Sequence, residues 1–503
     1  MIGGEAQVSM HRARVRLMLA AVSILPTVAS AGITLSPLYT FDTATLAPGG
    51  GLFLNTDGLS VAALLQDSAG NLYGAASSGG SGGSGTIFRL TPSGAFSLLH
   101  SFAAAPGFPT SEVNTDGVMP SALVLDGSGN LYGTTQYGGA NGTGTVFSLS
   151  GGAFTTLHVF GTTSGMNQNS DGANPNALLL GSDGNLYGVA GSGGANGAGV
   201  VFRISPAGQF TVLYAFGSYD PISDVNDDGV DPTALIEGAD GNFYGTTAGG
   251  GSNGTGTVFS LTPQGALQTL HTFATCQYCL DQGTVLGLSR YVNADGVFPA
   301  SLTFASDGSL YGTTPFGGSG GGGVVFRLGT DGSFTILHPF GADGSTIASA
   351  VVESAGGTLF GTYSVYPTVV GQSNAGIYSL TTAGDYLVEY TEQYNSPSNP
   401  TLTFGPLLPV AADPSNELYV GTLRGDTPGI SIAALASPAT ASAAGGGGGA
   451  MTPWMLILLG STVVLRIGVR ASQRLTATRR GDPTAASGPA HRRSRPRARG
   501  ACA

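Results

Sequence analysis

The 503-residue chain contains no lysine, and its basic residues are 18 arginines. Only five of these arginines lie between Gly32 and Ala444, where 27 acidic residues give the segment a net charge of −22. Such a segment repels phosphate backbones, because nucleic-acid binding requires patches of Lys and Arg. Its glycine-rich stretches also lack the G-K-[ST] ending of a phosphate-binding loop. The charge therefore excludes nucleic acid as a partner of this segment.

Side chains that carry out catalysis are also scarce. The one tryptophan, Trp454, lies outside the acidic segment, and the chain has six histidines. A position that recurs along a repeat is typical of packing, whereas a catalytic base is singular. No unique Ser/His/Asp or Cys/His set remains, which disfavours an acyl-transfer enzyme. Four of the histidines share one repeated position, before x-Phe: His100, His158, His271 and His338.

Glycine, by contrast, is abundant, with 84 residues at regular places between apolar segments. The clearest repeated landmark is Leu-Tyr-Gly, which recurs every 49 to 67 residues. Regular recurrence of this kind indicates a repeat architecture. The landmark tyrosines or their equivalents are Tyr73, Tyr132, Tyr187, Tyr244, Tyr311, Phe360 and Tyr419.

One repeat contains four short strand patterns. In the second copy they are Ser121–Leu125, Asn130–Thr135, Gly144–Leu149 and Ala153–Phe160, separated by turn sequences rich in Gly, Asn and Asp. Four strands joined by hairpin turns form one antiparallel sheet, and radial repetition of such sheets is typical of a β-propeller. We therefore predict an all-β propeller of four-stranded blades. A parallel β-solenoid is the alternative, although its coils lack these hairpin signals.

The two ends of the array predict ring closure. The C-terminal copy has three strand patterns, and Ile33–Phe41 at the other end matches the missing T-L-H-x-F strand. Pairing these ends would complete a seventh blade and remove an exposed sheet edge. The sequence thus predicts seven blades within residues 32–436.

Both chain termini resemble processing and anchoring signals. Residues 1–31 carry three arginines, an apolar run and Ala29-Ser30-Ala31, which is typical of a secretory signal peptide. Residues 437–449 form an Ala/Ser/Gly linker, and residues 450–469 form an apolar segment long enough for a transmembrane anchor or sorting helix. The basic tail 470–503 is expected to stay cytoplasmic by the positive-inside rule. These features predict an exported protein of the cell envelope or cell surface, with the membrane as a partner of the C-terminal helix.

The motifs D-G-N-L-Y-G-T-T, G-T-V-F-S-L and T-L-H-x-F, over about residues 33 to 436, resemble the GloVer (Gloeobacter–Verrucomicrobia) tandem-repeat family of exported bacterial proteins. The resemblance implies export and interchangeable C-terminal anchors, and it brings no catalytic activity or ligand. The order of glycine run, apolar helix and arginine cluster resembles a bacterial Gly-Gly C-terminal sorting signal, which a rhomboid-type protease removes. The long basic tail departs from that pattern.

The loops between blades carry the candidate binding residues. Five of them share the pattern Asn-x-Asp-Gly, which favours tight turns and also offers oxygen atoms to a ligand. One loop contains Asp224, Asn226 and Asp228 at the spacing that begins a calcium-binding loop, with Asp231 as a substitute for the missing acid at position 12. Calcium is therefore the one cofactor the sequence suggests. The other loop-face candidates are Asn55, Asp57, Asn114, Asp116, Asn169, Asp171, Asn293 and Asp295.

The chain has three cysteines, and Cys276 and Cys279 form its C-x-x-C motif. A zinc site needs four ligands, and no second pair accompanies this one. In an exported protein the spacing favours a local disulfide between Cys276 and Cys279.

Together these features predict a surface- or membrane-anchored binding or adhesion module that holds a surface glycan or protein on an acidic, Gly-rich loop face. An enzyme, such as a propeller lyase or hydrolase with an acidic metal site, is one alternative. A structural component of the envelope is the other.

Overall fold

A computed structural model describes the repeat region of the chain in twelve segments. The predicted signal peptide, the linker and the predicted membrane segment lie outside them. In the part of the chain that is described, no helix is long and apolar enough to span a bilayer. The described segments are residues 34–47, 52–106, 112–219, 225–276, 292–341, 345–347, 350–354, 356–365, 372–395, 402–409, 418–424 and 427–434.

The architecture is an all-β propeller, so the solenoid alternative is wrong. Five successive sheets each contain four antiparallel strands, here called A to D in chain order. Blade 1 comprises β4 (Leu59–Gln66), β5 (Leu72–Ser78), β6 (Thr86–Leu90) and β7 (Phe96–Ser101). Blade 2 comprises β8 (Val118–Leu125), β9 (Leu131–Tyr137), β10 (Thr145–Ser150) and β11 (Ala153–Val159).

The next three blades follow the same order. Blade 3 comprises β12 (Ala173–Leu180), β13 (Leu186–Ser192), β14 (Val200–Ile204) and β15 (Phe210–Ala215). Blade 4 comprises β16 (Val230–Glu237), β17 (Phe243–Gly249), β18 (Thr257–Leu261) and β19 (Leu267–Thr272). Blade 5 comprises β20 (Ser301–Phe304), β21 (Leu310–Thr314), β22 (Val324–Leu328) and β23 (Phe334–Pro339).

Blade 6 departs from the pattern because it has five strands. They are β24 (Ser345–Ile347), β25 (Val352–Glu353), β26 (Leu359–Val365), β27 (Gln372–Leu380) and β28 (Tyr386–Asn395), and both β24 and β25 pair with β26. The prediction of seven four-stranded blades is therefore wrong, because only six sheets of the described chain have four strands. In blade 6, the strand expected as strand A is split into two short strands.

The last sheet, called the closing sheet, joins the two ends of the array. It contains β29 (Leu402–Pro409), β30 (Leu418–Arg424), β31 (Thr427–Ala434) and β1 (Thr34–Thr40). Strand β1 pairs antiparallel with β31, from Thr34 opposite Ala434 to Thr40 opposite Gly429. The predicted pairing of the N-terminal strand with the C-terminal copy is thus present. A separate hairpin, β2 (Thr45–Leu46) with β3 (Phe53–Leu54), pairs with no other sheet in the described chain.

The Leu-Tyr-Gly landmark has a packing explanation. In blade 2, a Cβ on Gly133 would lie 2.4 Å from Cζ of Phe147, because the Phe ring of strand C covers the backbone of strand B. The Tyr hydroxyl of the same motif donates to the Asp of the preceding turn, as Tyr187 does to Asp183 at 2.9 Å. Leu131 of strand B is buried. Each residue of the motif therefore fixes one side of strand B, which explains its repetition.

The apolar core lies between adjacent blades. One cluster combines Tyr132 and Phe160 of blade 2 with Leu178 and Phe202 of blade 3. The A strands of blades 1 to 5 lie side by side, which places them nearest the propeller axis, and β29 lies beside β26 on one side and β4 on the other. Polar bonds also join the A strands: Thr233 Oγ1 donates to the carbonyl of Pro299 at 2.8 Å.

Candidate functional site

The D-to-A and B-to-C loops emerge on one face of the propeller, called here the loop face. In blade 2 they meet directly, because Asn114 Oδ1 accepts hydrogen bonds from the N–H groups of Gly117 in the D-to-A loop and Gly139 in the B-to-C loop. The opposite face carries the short A-to-B and C-to-D turns. The candidate binding residues of the five Asn-x-Asp-Gly motifs therefore lie on the loop face.

The Asn of each motif bonds to its own turn, to the residues that follow the D strand and to the B-to-C loop. Asn114 Nδ2 donates to the carbonyls of Ala103 and Gly117, at 2.8 and 2.7 Å, while its Oδ1 accepts the two bonds described above. An amide has two donor hydrogens and an oxygen with two lone pairs, so all four positions are used. The same arrangement holds for Asn55, Asn169, Asn226 and Asn293.

The Asp of each motif ties the D strand to the loop that follows it. Asp116 accepts from Nε2 of His100 at 2.9 Å and from the N–H of Ala103. The motif therefore acts as a clasp between successive blades. Its ten side chains have this structural role, and their direct contact with a ligand stays a prediction. Equivalent bonds join Asp57 to Tyr39, Asp171 to His158, Asp228 to Tyr214 and Asp295 to His271, at 2.6 to 3.0 Å.

Burial raises the pKa of one acid and of two phenols in these clasps. Desolvation raises the pKa of the Asp57 carboxyl, against the lowering effect of its hydrogen bonds from Tyr39 and Asp42. Desolvation and then the bond to Asp57 raise the pKa of the Tyr39 hydroxyl well above its usual range. Tyr214 beside Asp228 behaves in the same way. These hydroxyls are therefore fixed donors at neutral pH, which suits a structural bond.

The suggested calcium loop is only partly described. Asp224 lies outside the described residues, Asn226 is saturated as above, and Asp231 is buried at the start of β16. Asp228 accepts from Tyr214 and Gly217 through Oδ2. In the described ranges, no three His, Cys, Asp or Glu side chains approach closely enough to hold a metal ion. Calcium binding therefore stays a prediction. Cys276 is disulfide-bonded, and Cys279, its predicted partner, lies outside the described residues.

Apolar side chains are exposed on the loop face. Five of the eight large hydrophobic residues with high exposure in the described chain belong to D-to-A loops, and together they form what we call the apolar perimeter. Loops held on a rigid scaffold are where binding residues usually lie, so exposed apolar side chains on these loops are candidates for contact with a ligand. The perimeter consists of Leu46 (60% exposed), Phe53 (51%), Val113 (49%), Met166 (47%) and Val225 (38%).

A second feature lies closer to the propeller axis, and the sequence alone did not reveal it. The second residue of strand A in blades 1 to 4, and the equivalent residue just before strand A of blade 5, have a left-handed backbone with φ between 56° and 59°. These residues, called the left-handed ring, are Ser60, Met119, Asn174, Asp231 and Phe298. This conformation costs about 1 to 3 kcal/mol for a residue other than glycine. Four of the five precede a proline. The sequence signal that could have revealed this position is a residue type that changes from copy to copy before a proline that recurs.

The left-handed backbone has a structural cause. The N–H of each ring residue in blades 2 to 5 donates to a carbonyl in the preceding blade, as Asn174 does to Thr143 at 2.8 Å. The proline that follows packs on a glycine of that same preceding blade: a Cβ on Gly144 would lie 2.6 Å from Cδ of Pro175. The conformation therefore joins neighbouring blades, whereas the side chain attached to it differs at every ring position.

The loop face of blades 1 to 5 carries no arginine among the described residues. Arg89, Arg203 and Arg327 all lie in C strands. Arg327 bonds to Asp307 at 3.1 Å, in the A-to-B turn on the opposite face. The described loop face of these five blades therefore offers no cationic side chain to an anionic ligand.

The three described His–Asp pairs share one geometry, with Nε2 to Oδ2 distances of 2.9, 2.9 and 3.0 Å. Each histidine also stacks on an aromatic ring of the next blade, as His100 does on Phe154 at 3.8 Å between centroids. Repetition of the same contacts in three places indicates packing at this position.

Residues 38–223 match the model of the Gloeobacter/Verrucomicrobia repeat, which confirms the resemblance of the repeats. No curated protein is significantly similar in sequence. Among solved structures, the chain is similar to a streptogramin B lyase (13% identity, 80% of this chain and 99% of that chain, TM-score 0.45). It is also similar to a family 25 polysaccharide lyase, an ulvan lyase (12% identity, 79% and 95%, TM-score 0.48), and to the gluconolactonase XC5397 from Xanthomonas campestris (11% identity, 79% and 97%, TM-score 0.35). The activities belong to those proteins.

Proposed function

Since residues 38–223 consist of Gloeobacter/Verrucomicrobia repeats, we propose that this propeller is an exported, envelope-anchored binding module that holds its ligand on the loop face. The single observation that supports this function is the apolar perimeter. Leu46, Phe53, Val113, Met166 and Val225 come from four successive D-to-A loops, yet all are exposed on one face.

Folding does not account for the perimeter. Its side chains stay 38 to 60% exposed, so they contribute little burial to stability. The neighbouring Asn and Asp side chains already hold the loops in place through the clasps. A ligand that covers the perimeter would remove this apolar surface from water, which favours binding.

A binding role suits the site better than catalysis. The His–Asp pairs, which resemble parts of a catalytic triad, recur in three places with one geometry and are stacked between blades. Their carboxylates also accept backbone N–H bonds, so they hold loops together. These contacts suit a scaffold that positions loops for recognition.

Export and anchoring are supported by the termini. The arginines and apolar run within residues 1–31 suit a signal peptide, and the apolar segment 450–469 followed by the arginine-rich tail suits an anchor with the propeller outside. Fractionation of cells that express the full chain tests this part. We expect the protein in the envelope fraction and its propeller accessible to added protease on intact cells. Recovery in the cytosol, protected from protease, would contradict it.

The loop-face role is tested with two matched variants of the full chain. The first replaces four perimeter residues: Phe53→Ser, Val113→Ser, Met166→Ser and Val225→Ser. The control replaces three equally exposed apolar residues of the D strands: Leu98→Ser, Leu387→Ser and Val388→Ser. Binding is measured on an array of immobilised glycans and on isolated bacterial envelopes. We expect the first variant to lose at least tenfold in affinity and the control to match the parent. Equal binding by both variants would rule out the loop face.

A further inference from the structure

The left-handed ring stands out against the rest of this chain. In the described residues, 40 glycines have a positive φ, and only six other residues do. Five of those six occupy the same repeat position, the ring itself. The sixth, Asn167, lies in the D-to-A loop between blades 2 and 3. The chain thus uses glycine for left-handed backbone almost everywhere except at this one position.

Glycine would satisfy the backbone of the ring without strain. The inter-blade bond is made by the main-chain N–H, which glycine also has, and the packing contact is made by the next residue, proline. Methionine and phenylalanine have no preference for this conformation, unlike asparagine and aspartate. The backbone of the ring therefore does not require methionine at position 119 or phenylalanine at position 298, which indicates a role for their side chains.

The ring lies where the loop face meets the axis. In blades 1 to 4 its residues begin the A strands, which are the strands nearest the axis, and in blade 5 Phe298 lies just before β20. All five are next to the ends of the B strands. Asn174 accepts from the hydroxyl of Ser192 at 2.6 Å and donates to the carbonyl of Gln136 at 3.1 Å. The ring of Phe298 meets that of Phe316 edge to face, with centroids 6.3 Å apart. Polar groups therefore occupy blades 3 and 4, with an apolar group on either side.

We propose that the left-handed ring is the centre of the loop-face binding site and that it recognises a neutral saccharide. The inference rests on the binding role proposed above. An uncharged sugar presents hydroxyl groups that bond to amide and carboxylate oxygens, and it presents C–H surfaces that pack on aromatic and thioether side chains. Asn174 supplies the first kind of contact, and Met119 and Phe298 supply the second.

The charge of the face selects among saccharides. No arginine lies on the described loop face of blades 1 to 5, and the segment from Gly32 to Ala444 carries a net charge of −22. An acidic polysaccharide would be repelled by this net charge and would find no cationic partner among the described residues of these blades. A cationic ligand would require an exposed carboxylate at the ring, whereas Asp231 is 7% exposed. A neutral chain is the class that fits both observations.

The test compares three glycine substitutions in the full chain. Met119→Gly and Phe298→Gly remove ring side chains, and Asn167→Gly is the matched control, because it changes a left-handed residue outside the ring. The probes are cellohexaose, laminarihexaose and mannohexaose, with hexagalacturonate and a glucosamine hexamer as the anionic and cationic counterparts. Affinity is measured by calorimetry and thermal stability by scanning fluorimetry.

We expect the parent to bind at least one neutral hexasaccharide more tightly than either charged one. Each ring variant should lose at least tenfold in affinity with a melting temperature equal to or above that of the parent, and the control should bind like the parent. Ring variants that bind normally, while the perimeter variant does not, would overturn the ring and leave the loop-face function standing. Preference for a charged hexamer, or binding of no neutral one, would overturn the ligand class. A parent that binds neither these probes nor envelopes would overturn both proposals.

Discussion

The imidazole of His158 in blade 2 lies flat against the ring of Phe210 in blade 3, with 3.9 Å between centroids and 7° between planes. The same histidine bonds through Nε2 to Asp171, which belongs to the loop between the two blades. One side chain thus joins a D strand, a loop and the next blade. The stack recurs at His100 with Phe154, His271 with Phe334 and His338 with Tyr386.

Replacing this histidine tests its packing role. His158→Ala removes the aromatic stack and leaves Asp171 without its side-chain donor, so we expect a loss of about 2 to 4 kcal/mol in the free energy of unfolding. Blade 3 supplies the control, because Tyr214 occupies the same position and donates to Asp228 at 2.6 Å. His158→Tyr should therefore cost less than about 1 kcal/mol, as a substitution that keeps both the ring and the donor. Urea denaturation measures both, and equal losses would contradict the assignment.

The close approach behind the Leu-Tyr-Gly landmark predicts a second effect. Gly133→Ala places a methyl group within 2.4 Å of Phe147 Cζ and 2.7 Å of the carbonyl of Ala122. Neither the buried ring nor the backbone has room to move, so we expect a loss of about 1 to 3 kcal/mol or more. Gly127→Ala, in the turn of the same blade, meets nothing within 4 Å and should be neutral. The two variants are compared by urea midpoint, and a neutral Gly133→Ala would show that strand C is not packed as described.

Much of the architecture followed from the sequence because one physical pattern repeats. The Tyr-Gly pair, which is Tyr132-Gly133 in blade 2, marked strand B in every regular copy. The match of Ile33–Phe41 to the T-L-H-x-F pattern predicted the pairing of β1 with β31 that the structure contains. The five-stranded blade 6 did not follow. Its copy is degenerate, so nothing in the sequence indicated that strand A would split into β24 and β25.

The binding residues were harder to predict, for a different reason. Asn114 and Asp116 offer oxygen atoms in the sequence, yet whether those oxygens are free depends on His100 and on Gly139, which only the folded chain brings close. The ring residues were hard to predict because their sequence gives almost no local signal. Met119 and Phe298 have no intrinsic turn preference, so their left-handed backbone arises from contacts between blades and leaves only the following proline as a trace.

Glu112 gives a prediction about pH. It lies in the D-to-A loop of blade 2, and desolvation raises its pKa from 4.5 to about 7. The folded state then holds this proton more tightly than the unfolded state. Stability from this group is present below about pH 4.5 and is lost as pH rises towards about 7. Glu112→Gln cannot lose a proton, so we expect its melting temperature to match the parent at pH 4 and to exceed it at pH 8.

Melting curves between pH 4 and 8 measure this difference. Asp126 should show the opposite dependence: burial would raise its pKa, but hydrogen bonds from Asn130 and Ser128 lower it overall. Its contribution is therefore present above its ordinary pKa and lost on acidification. A constant difference between the parent and Glu112→Gln across this range would show that the carboxyl is well solvated.

Ring closure gives the last prediction. Strand β1 supplies the fourth strand of the closing sheet, and Tyr39 stacks on Phe96 of blade 1 with 4.6 Å between centroids. Deleting Thr34–Thr40 would expose the edge of β31 and remove the Tyr39 bond to Asp57. Because this pairing supplies the main-chain hydrogen bonds that join the two ends of the array, we expect the deletion to broaden or abolish the cooperative unfolding transition. The hairpin of β2 and β3 is the control, since its strands pair only with each other in the described chain. Replacing residues 45–54 by a short Gly-Ser linker should preserve the transition.

A synthetic peptide of residues 33–41, added to the chain that lacks Thr34–Thr40, should restore part of the cooperative transition by pairing with β31. An unchanged melting transition after the deletion would show that the propeller is stable as an open ring.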